Sequence, residues 1–258
     1  VALLAFLVLP IVSFGGSDTV YVDGSANGTQ DGSAKNPYKT IGKALDKAGK
    51  GDVVRVKAGT YKENVTIPQG VKLMSDNENR DSVVIKSDNN DKPTVTMKNG
   101  SKLASVTIKE GRHGVRVAAD AKANIYNVTI KNAVRDGIHA DAAAANDTKL
   151  LTIDKVYSAK NGMAGIYSES RKITVLNSDI DSNKLDGIDL QGRNKAWIED
   201  VRSRWNHSSG LKAVVDGSTI TAKSSDFRNN GQAGVEAISN GGNGSLTVKK
   251  GSIVGNTS

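Results

Sequence analysis

Several side chains with acid–base or charge-neutralising capacity obey one short pattern. His139, Tyr167, Asp189 and Lys212 each stand directly after a Gly-aliphatic pair: Gly137-Ile138, Gly165-Ile166, Gly187-Ile188 and Gly210-Leu211. Arg116 and Glu236 follow the same pair at Gly114-Val115 and Gly234-Val235. Two positions further on come Ala118, Asp141, Glu169, Gln191, Val214 and Ile238. An imidazole, a phenol, a carboxylate and an ammonium are the groups that remove a proton, return one and neutralise an anion. His139, Tyr167, Glu169, Asp189 and Lys212 are therefore the candidate catalytic residues, suited to lyase or epimerase chemistry on an acidic sugar. The carboxylates Glu169 and Asp189 would also serve glycoside hydrolysis. The competing expectation is that these positions are polar because they face water, where opposite charges on neighbouring strands contribute roughly 0.2–1 kcal/mol per pair.

Repetition is what would bring these residues together. The Gly-aliphatic pairs are 23, 28, 22, 23 and 24 residues apart. Each is followed by a polar stretch, an alternating apolar strand and an Asn, as in Ile125-x-x-Val128-x-Ile130-x-Asn132; the later Asn positions are Asn161, Asn183, Asn206, Asn230 and Asn256. Alternation of period two turns one side of each strand inward. One such coil cannot bury its own apolar side, but stacked coils build a continuous core. With neighbouring strands about 4.8 Å apart, the residues after the pairs form one outward row. Gly and Asn are expected at the bends because they tolerate positive φ. Stacked Asn residues are expected to hydrogen-bond along the coil axis.

Less regular strands lie upstream, at Val53–Val56, Val65–Ile67, Val71–Leu73, Val83–Ile85, Val95–Met97 and Val106–Ile108. Residues 76–81 and 88–91 read as polar turns between them. Thr40 to Ala48 reads as a short amphipathic helix with Ile41, Ala44, Leu45 and Ala48 on one face, placed to lid the N-terminal end.

Composition fits this picture. Of 258 residues 37% are apolar but only 4% aromatic, so the core must be built from Val, Ile, Leu and Ala. The absence of cysteine excludes disulfides and thiolate metal sites. The net charge of +8 comes from Lys and Arg scattered among acids, without the dense basic run of a nucleic-acid partner. His113, His139 and His207 lack metal-ligand spacing, so no metal site is expected. Calcium would need oxygen ligands such as the acids of residues 76–91, which read as solvated turns and give no complete set. No other cofactor is expected.

Val1 to Val12 is almost wholly apolar and is followed by Ser13-Phe14-Gly15, similar to the core and cleavage site of a secretory signal. A membrane span needs roughly 17 residues or more, so membrane contact here would be transient. The chain is expected to be secreted or displayed at the cell surface. Residues 1–16 would be a signal remnant or an assembly strand, and residues 17–258 a single domain. As an assembly strand, Val1, Leu3, Leu4, Phe6, Leu7, Leu9, Ile11 and Phe14 would be buried against a neighbouring subunit. Asn27, Asn64, Asn99, Asn127, Asn146, Asn206, Asn243 and Asn256 begin Asn-x-Ser/Thr triplets and are formal glycan acceptors.

Tyr21-Val22, Gly32-Ser33, Pro37-Tyr38-Lys39-Thr40-Ile41, Ala44-Leu45, Gly51-Asp52 and Gly59-Thr60-Tyr61-x-Glu63 together resemble the N-terminal cap and first coil of pectate-lyase-like right-handed β-helix proteins. The later coils are similar to that family's repeat, so the resemblance covers about residues 20–256. It implies an all-β fold: a right-handed parallel β-helix solenoid behind a short N-terminal capping helix. Such proteins include polysaccharide lyases, epimerases, hydrolases, tailspikes and adhesins, so the fold alone does not select an activity. The polygalacturonase-like Gly-Asp-Asp motif does not occur. Arg112-His113-Gly114 is similar to the His-Gly element of those hydrolases but lacks its aspartates. Asp186-Gly-Ile-Asp189 matches only part of a pectate-lyase calcium cluster.

An apolar head, a last coil from Leu246 to Asn256 with no polar cap after it, and an incomplete catalytic signature lead to a structural reading. In it the chain self-associates head to tail into a homopolymeric filament. The alternatives are a polysaccharide lyase or epimerase, or a non-catalytic glycan-binding adhesin, each using the outward row.

Overall fold

The computed structural model describes residues 18–143 and 150–257. Val1 to Phe14, on which the assembly expectation rests, and the candidate acceptor Asn146 lie outside the described residues. Among the described residues no helix is long and apolar enough to cross a membrane.

Alternating strands of three to five residues pair in parallel with their counterparts one coil before and one coil after. The result is a three-sided solenoid whose sheets hold ten, nine and eight strands among the described residues. A full coil gives one strand to each side, so the eight-stranded sheet counts eight coils. Inward positions stack like on like. In the ten-stranded sheet, Ile125, Ile153, Val175, Ile198 and Ala222 occupy one row and are fully buried. In the eight-stranded sheet, Val115, Ile138, Ile166, Ile188 and Leu211 do the same. A row of aliphatics at one strand spacing fills its side of the core without rings, which accounts for the low aromatic content.

The bends are made differently from the sequence expectation. Each regular coil turns through single residues in the left-handed region, after the first strand (Asn127, Lys155, Asn177, Asp200, Ser224) and after the second (Asn132, Lys160, Ser182, Trp205, Asn229). The glycines of the Gly-aliphatic pairs have no positive φ. They are there for space. A Cβ on Gly187 would sit 1.9 Å from Ser203 Oγ, 2.6 Å from Gly210 O and 2.7 Å from Asn206 Nδ2.

Those asparagines form an internal ladder one residue after the second bend. Nδ2 of Asn161, Asn183, Asn206 and Asn230 each donates to Oδ1 of the next, ending at Asn256, over 2.9–3.1 Å. Asn132 is not a rung: it occupies the bend itself. Its coil has Ala133 at the rung position, whose N–H donates to Asn161 Oδ1. Three of the formal glycan acceptors have Nδ2 engaged in such internal bonds, Asn256 among them through Phe227 O at 3.0 Å. Asn206 is 1% exposed and its Nδ2 is committed to the ladder. Asn64 donates Nδ2 to Ser87 Oγ and to the Asn89 and Pro93 carbonyls, so it pins the following loop. Asn27 and Asn243 are exposed, and Asn99 and Asn127 half-buried.

The capping helix spans Ile41–Lys47 and buries Ile41, Ala44 and Leu45, with Thr40 as its N-cap. The first coil completes the cap: both Glu63 carboxylate oxygens accept from the helix, from Ile41 N at 2.9 Å and Gly42 N at 2.8 Å. Charged acceptors at orphan helix donors strengthen such bonds. Glu63→Ala is expected to cost about 1–2 kcal/mol in urea unfolding. No loss of stability would mean that the helix docks through its apolar face alone.

Candidate active site

The eight-stranded sheet carries the outward row in the register the repeats imply. Arg116 pairs with His139, His139 with Tyr167, Tyr167 with Asp189, Asp189 with Lys212 and Lys212 with Glu236. Rings stack along it. His139 lies face to face with Tyr167, with centroids 4.7 Å apart and planes 5° from parallel. On its other side it meets the His113 ring at 4.2 Å and 36°.

Behind the row stand two buried carboxylates at the corner preceding the sheet. Asp136 and Asp186 occupy the same place in their coils, each just before a Gly. Asp136 Oδ1 accepts from Ala164 N at 3.1 Å, and Asp186 Oδ1 from Ser209 N at 2.9 Å, so each caps a backbone donor of a following coil. Asp136 turns its other oxygen to the histidines, 2.9 Å from His139 Nδ1 and 3.2 Å from His113 Nδ1. Burial opposes ionisation of Asp136, but the close approach of the His113 and His139 imidazoles outweighs it and holds its pKa down to about 2. Burial pushes the His113 imidazole below its ordinary value, and Asp136 only partly restores it.

Asp189 is the opposite case. Burial, reinforced by the charges of Asp186 and Asp136, raises its pKa to about 6, against a hydrogen bond from Gln191 and the positive charge of Lys212. Tyr167 is raised too, by burial and then by the charges of Glu169, Asp189 and Asp136. Two carboxylates two coils apart, Asp136 and Asp189, are thus driven in opposite directions by their surroundings, a pattern associated with acid–base sites.

Two hollows meet at Arg135 and His139. A small one of about 120 Å³ is lined by Asp136, Tyr167, Asp186, Asp189, Met163 and Leu185 as well as those two residues. A wider cleft of about 330 Å³ continues over earlier coils past Lys92, Arg112, His113, Arg116 and Asp141. Arg116 holds Asp141 through Nε at 3.0 Å and Nη2 at 2.7 Å. His139 Nε2 lies 3.4 Å from the same carboxylate.

Three of the five expected catalytic residues, His139, Tyr167 and Asp189, line the small hollow together. Glu169 and Lys212 do not line it. Glu169 sits exposed at the strand end, and Lys212 is half-buried beside Asp189. His207 is exposed and away from the cluster. Sequence reasoning passed over Asp136, Arg135 and the role of His113. It also expected no metal-binding histidines, whereas ligand atoms of His113, Asp136 and His139 lie within 4.8 Å of one another. The available signal was positional: His113 and Asp136 both directly precede the Gly of a pair, so they neighbour across coils.

Parallel coils with an inward aliphatic stack, an internal Asn ladder and an outward polar row define a parallel β-helix protein with a cleft along one sheet. The chain belongs to the family described as "right handed beta helix region", whose profile matches residues 113–258. Among solved structures, the pectate lyase Pel9A superposes with a TM-score of 0.63 at 13% identity, covering 95% of this chain and 80% of that one. A pectin methylesterase from Aspergillus niger, in penultimately deglycosylated form, superposes with a TM-score of 0.64 at 14% identity, covering 92% and 86%. These likenesses are of fold. No curated protein sequence matches the chain.

Proposed function

We propose that this chain is a carbohydrate-active protein that binds an acidic polysaccharide along the eight-stranded sheet and abstracts the proton α to a uronate carboxylate, giving β-elimination or epimerisation. The observation that carries this reading is the row His139–Tyr167–Asp189 beside a basic cleft, with Asp189 held near neutrality in its proton affinity. A base whose pKa lies near the working pH is ionised and still basic enough to act. Asp189 takes the C5 proton. In elimination the electron pair forms the C4=C5 bond as the C4–O bond breaks, and Tyr167 protonates the departing oxygen. In epimerisation Asp189 keeps the proton it took, and a second donor, for which Tyr167 is the candidate, delivers a different proton to the opposite face of C5. Arg135 at the hollow and Lys212 beside Asp189 neutralise the carboxylate whose charge grows on proton removal. Fold resemblance to a pectate lyase raises the prior and does not assign the activity. An extracellular location suits such a substrate. Self-assembly through Val1–Phe14 is a separate proposal and draws no support from the described residues.

The test is incubation with polygalacturonate, alginate and a neutral glucan. Ultraviolet absorbance follows the unsaturated product, and proton NMR in deuterated water follows exchange at C5. Product or exchange with an acidic glycan only is the expected result. Binding without either would make the face a glycan-binding surface. No binding to any acidic glycan would sink the reading. Arg135→Ala is expected to raise KM for the acidic glycan about tenfold or more, by losing one charge-assisted contact to the substrate carboxylate. Steady-state kinetics on a folded variant checks this.

A further inference from the structure

We propose that His113 Nδ1, Asp136 Oδ2 and His139 Nδ1 bind one divalent transition-metal ion of the zinc class, at the head of the cleft. Zinc held by imidazole and carboxylate at about 2.0–2.2 Å in a tetrahedral site has its ligand atoms roughly 3.3–3.5 Å from one another. Asp136 Oδ2 already stands 3.2 Å and 2.9 Å from the two imidazole nitrogens, so a shift of a few tenths of an ångström opens the seat.

Three further observations point to an ion rather than to a hydrogen-bonded trio. First, His113 is only 5% exposed, and its Nδ1 has no hydrogen-bond partner although Asp136 is close, because the alignment is wrong for one. A buried polar atom left this way is costly unless something else satisfies it. Second, Asp136 is not free to turn away, since its other oxygen is fixed on Ala164 N. Third, the nitrogen of His139 that faces away from Asp136 lies 3.4 Å from Asp141 Oδ1, and Arg116 grips that carboxylate at 2.7–3.2 Å. An outer carboxylate behind a ligating imidazole is the usual arrangement that sets the tautomer of such a ligand. Nitrogen with one carboxylate oxygen is a donor set for zinc, cobalt, nickel or iron(II), and unlike the all-oxygen shell that calcium takes. The fourth position would open to the cleft bearing Lys92, Arg112 and Arg116, where water or an anionic group can complete the shell.

The decisive experiment uses the full chain without an affinity tag, stripped with a chelator and dialysed against metal-free buffer, with no glycan present. Isothermal titration with zinc chloride, and separately with cobalt chloride, should give one equivalent per chain. Cobalt should show the visible bands of a nitrogen-ligated, four- or five-coordinate ion. His113→Ala and His139→Ala should each weaken zinc binding at least a hundredfold, while His207→Ala leaves it unchanged. Circular dichroism on each variant separates lost ligation from lost folding. If a ligand variant fails to fold, the stoichiometry and cobalt spectrum of the parent protein decide alone. Absence of stoichiometric binding by the parent overturns the proposal, as does binding that survives both histidine substitutions. Because no glycan enters the measurement, failure here leaves the polysaccharide reading standing, and failure of that reading leaves this one.

Discussion

Asn206→Ala is expected to be among the most destabilising single substitutions in the chain, costing about 3 kcal/mol or more. Asn206 lies inside the solenoid at 1% exposure and works as a two-way connector. Its two Nδ2 hydrogens are shared among Ile180 O, Ser203 Oγ and Asn230 Oδ1, each 3.0–3.1 Å away. Its Oδ1 accepts from the backbone N and the Nδ2 of Asn183 at 3.0 and 2.9 Å. Alanine removes every one of these bonds and leaves partners of three coils buried without replacement. Each orphaned buried group costs about 1–3 kcal/mol. Asn206→Asp keeps the acceptor and loses the donor, so it is expected to be as damaging, with a buried charge added. Urea unfolding checks both. A cost below about 1 kcal/mol for Asn206→Ala would mean that the backbone ladders hold the coils in register without the side chains.

At Asp189 the largest effect expected is on turnover. Under the proposed function, Asp189→Asn removes the base and should lower kcat by about 10²–10⁴. The same substitution should make the protein more stable at pH 8, with metal excluded by a chelator. At that pH the folded and unfolded chains both carry Asp189 as a carboxylate, and the folded state bears the cost of burying it. Below about pH 4 both carry it protonated and the cost vanishes. Between those limits the folded chain, with its pKa raised to about 6, binds the extra proton, so this group makes stability fall as pH rises from about 4 to about 6. Asparagine removes that slope and keeps an acceptor for the Gln191 amide. After discounting for partial access to solvent, the gain at pH 8 is about 1–2 kcal/mol. Thermal melts of the two proteins at pH 4 and pH 8 read it directly. Gain of stability with loss of turnover is the signature of a group kept for function at the expense of the fold. Loss of both would make Asp189 a structural residue and move the proposed base elsewhere.

Much of this molecule was legible in one dimension, because in a parallel solenoid sequence spacing is nearly spatial position. A recurrence of 22–28 residues puts equivalent positions side by side at one strand spacing. The row Arg116, His139, Tyr167, Asp189, Lys212 and Glu236 could therefore be read off before any coordinates, together with the inward aliphatics behind it. The capping helix was equally visible, from the one apolar face of Ile41, Ala44 and Leu45 and the Thr at its start. Repetition and period-two alternation are backbone properties, and the sequence by itself determined them.

The tertiary structure alone decided what happens at the corners. There the chain leaves period two, and a one-residue difference separates the exposed bend occupied by Asn132 from the sealed ladder occupied by Asn161 and Asn206. The same step turns a formal glycan acceptor into an interior rung. Whether a Gly serves a bend or a close approach depends on what the next coil places against it, here Ser203 Oγ and the Gly210 carbonyl against Gly187. His113 and His139 are 26 residues apart, which matches no coil length and no metal-ligand spacing. They meet because one stands at a corner and the other on the adjoining coil's strand, with Asp136 turned between them by its bond to Ala164 N. Side-chain direction across a corner is set by packing between coils, and no periodicity in the sequence encodes it.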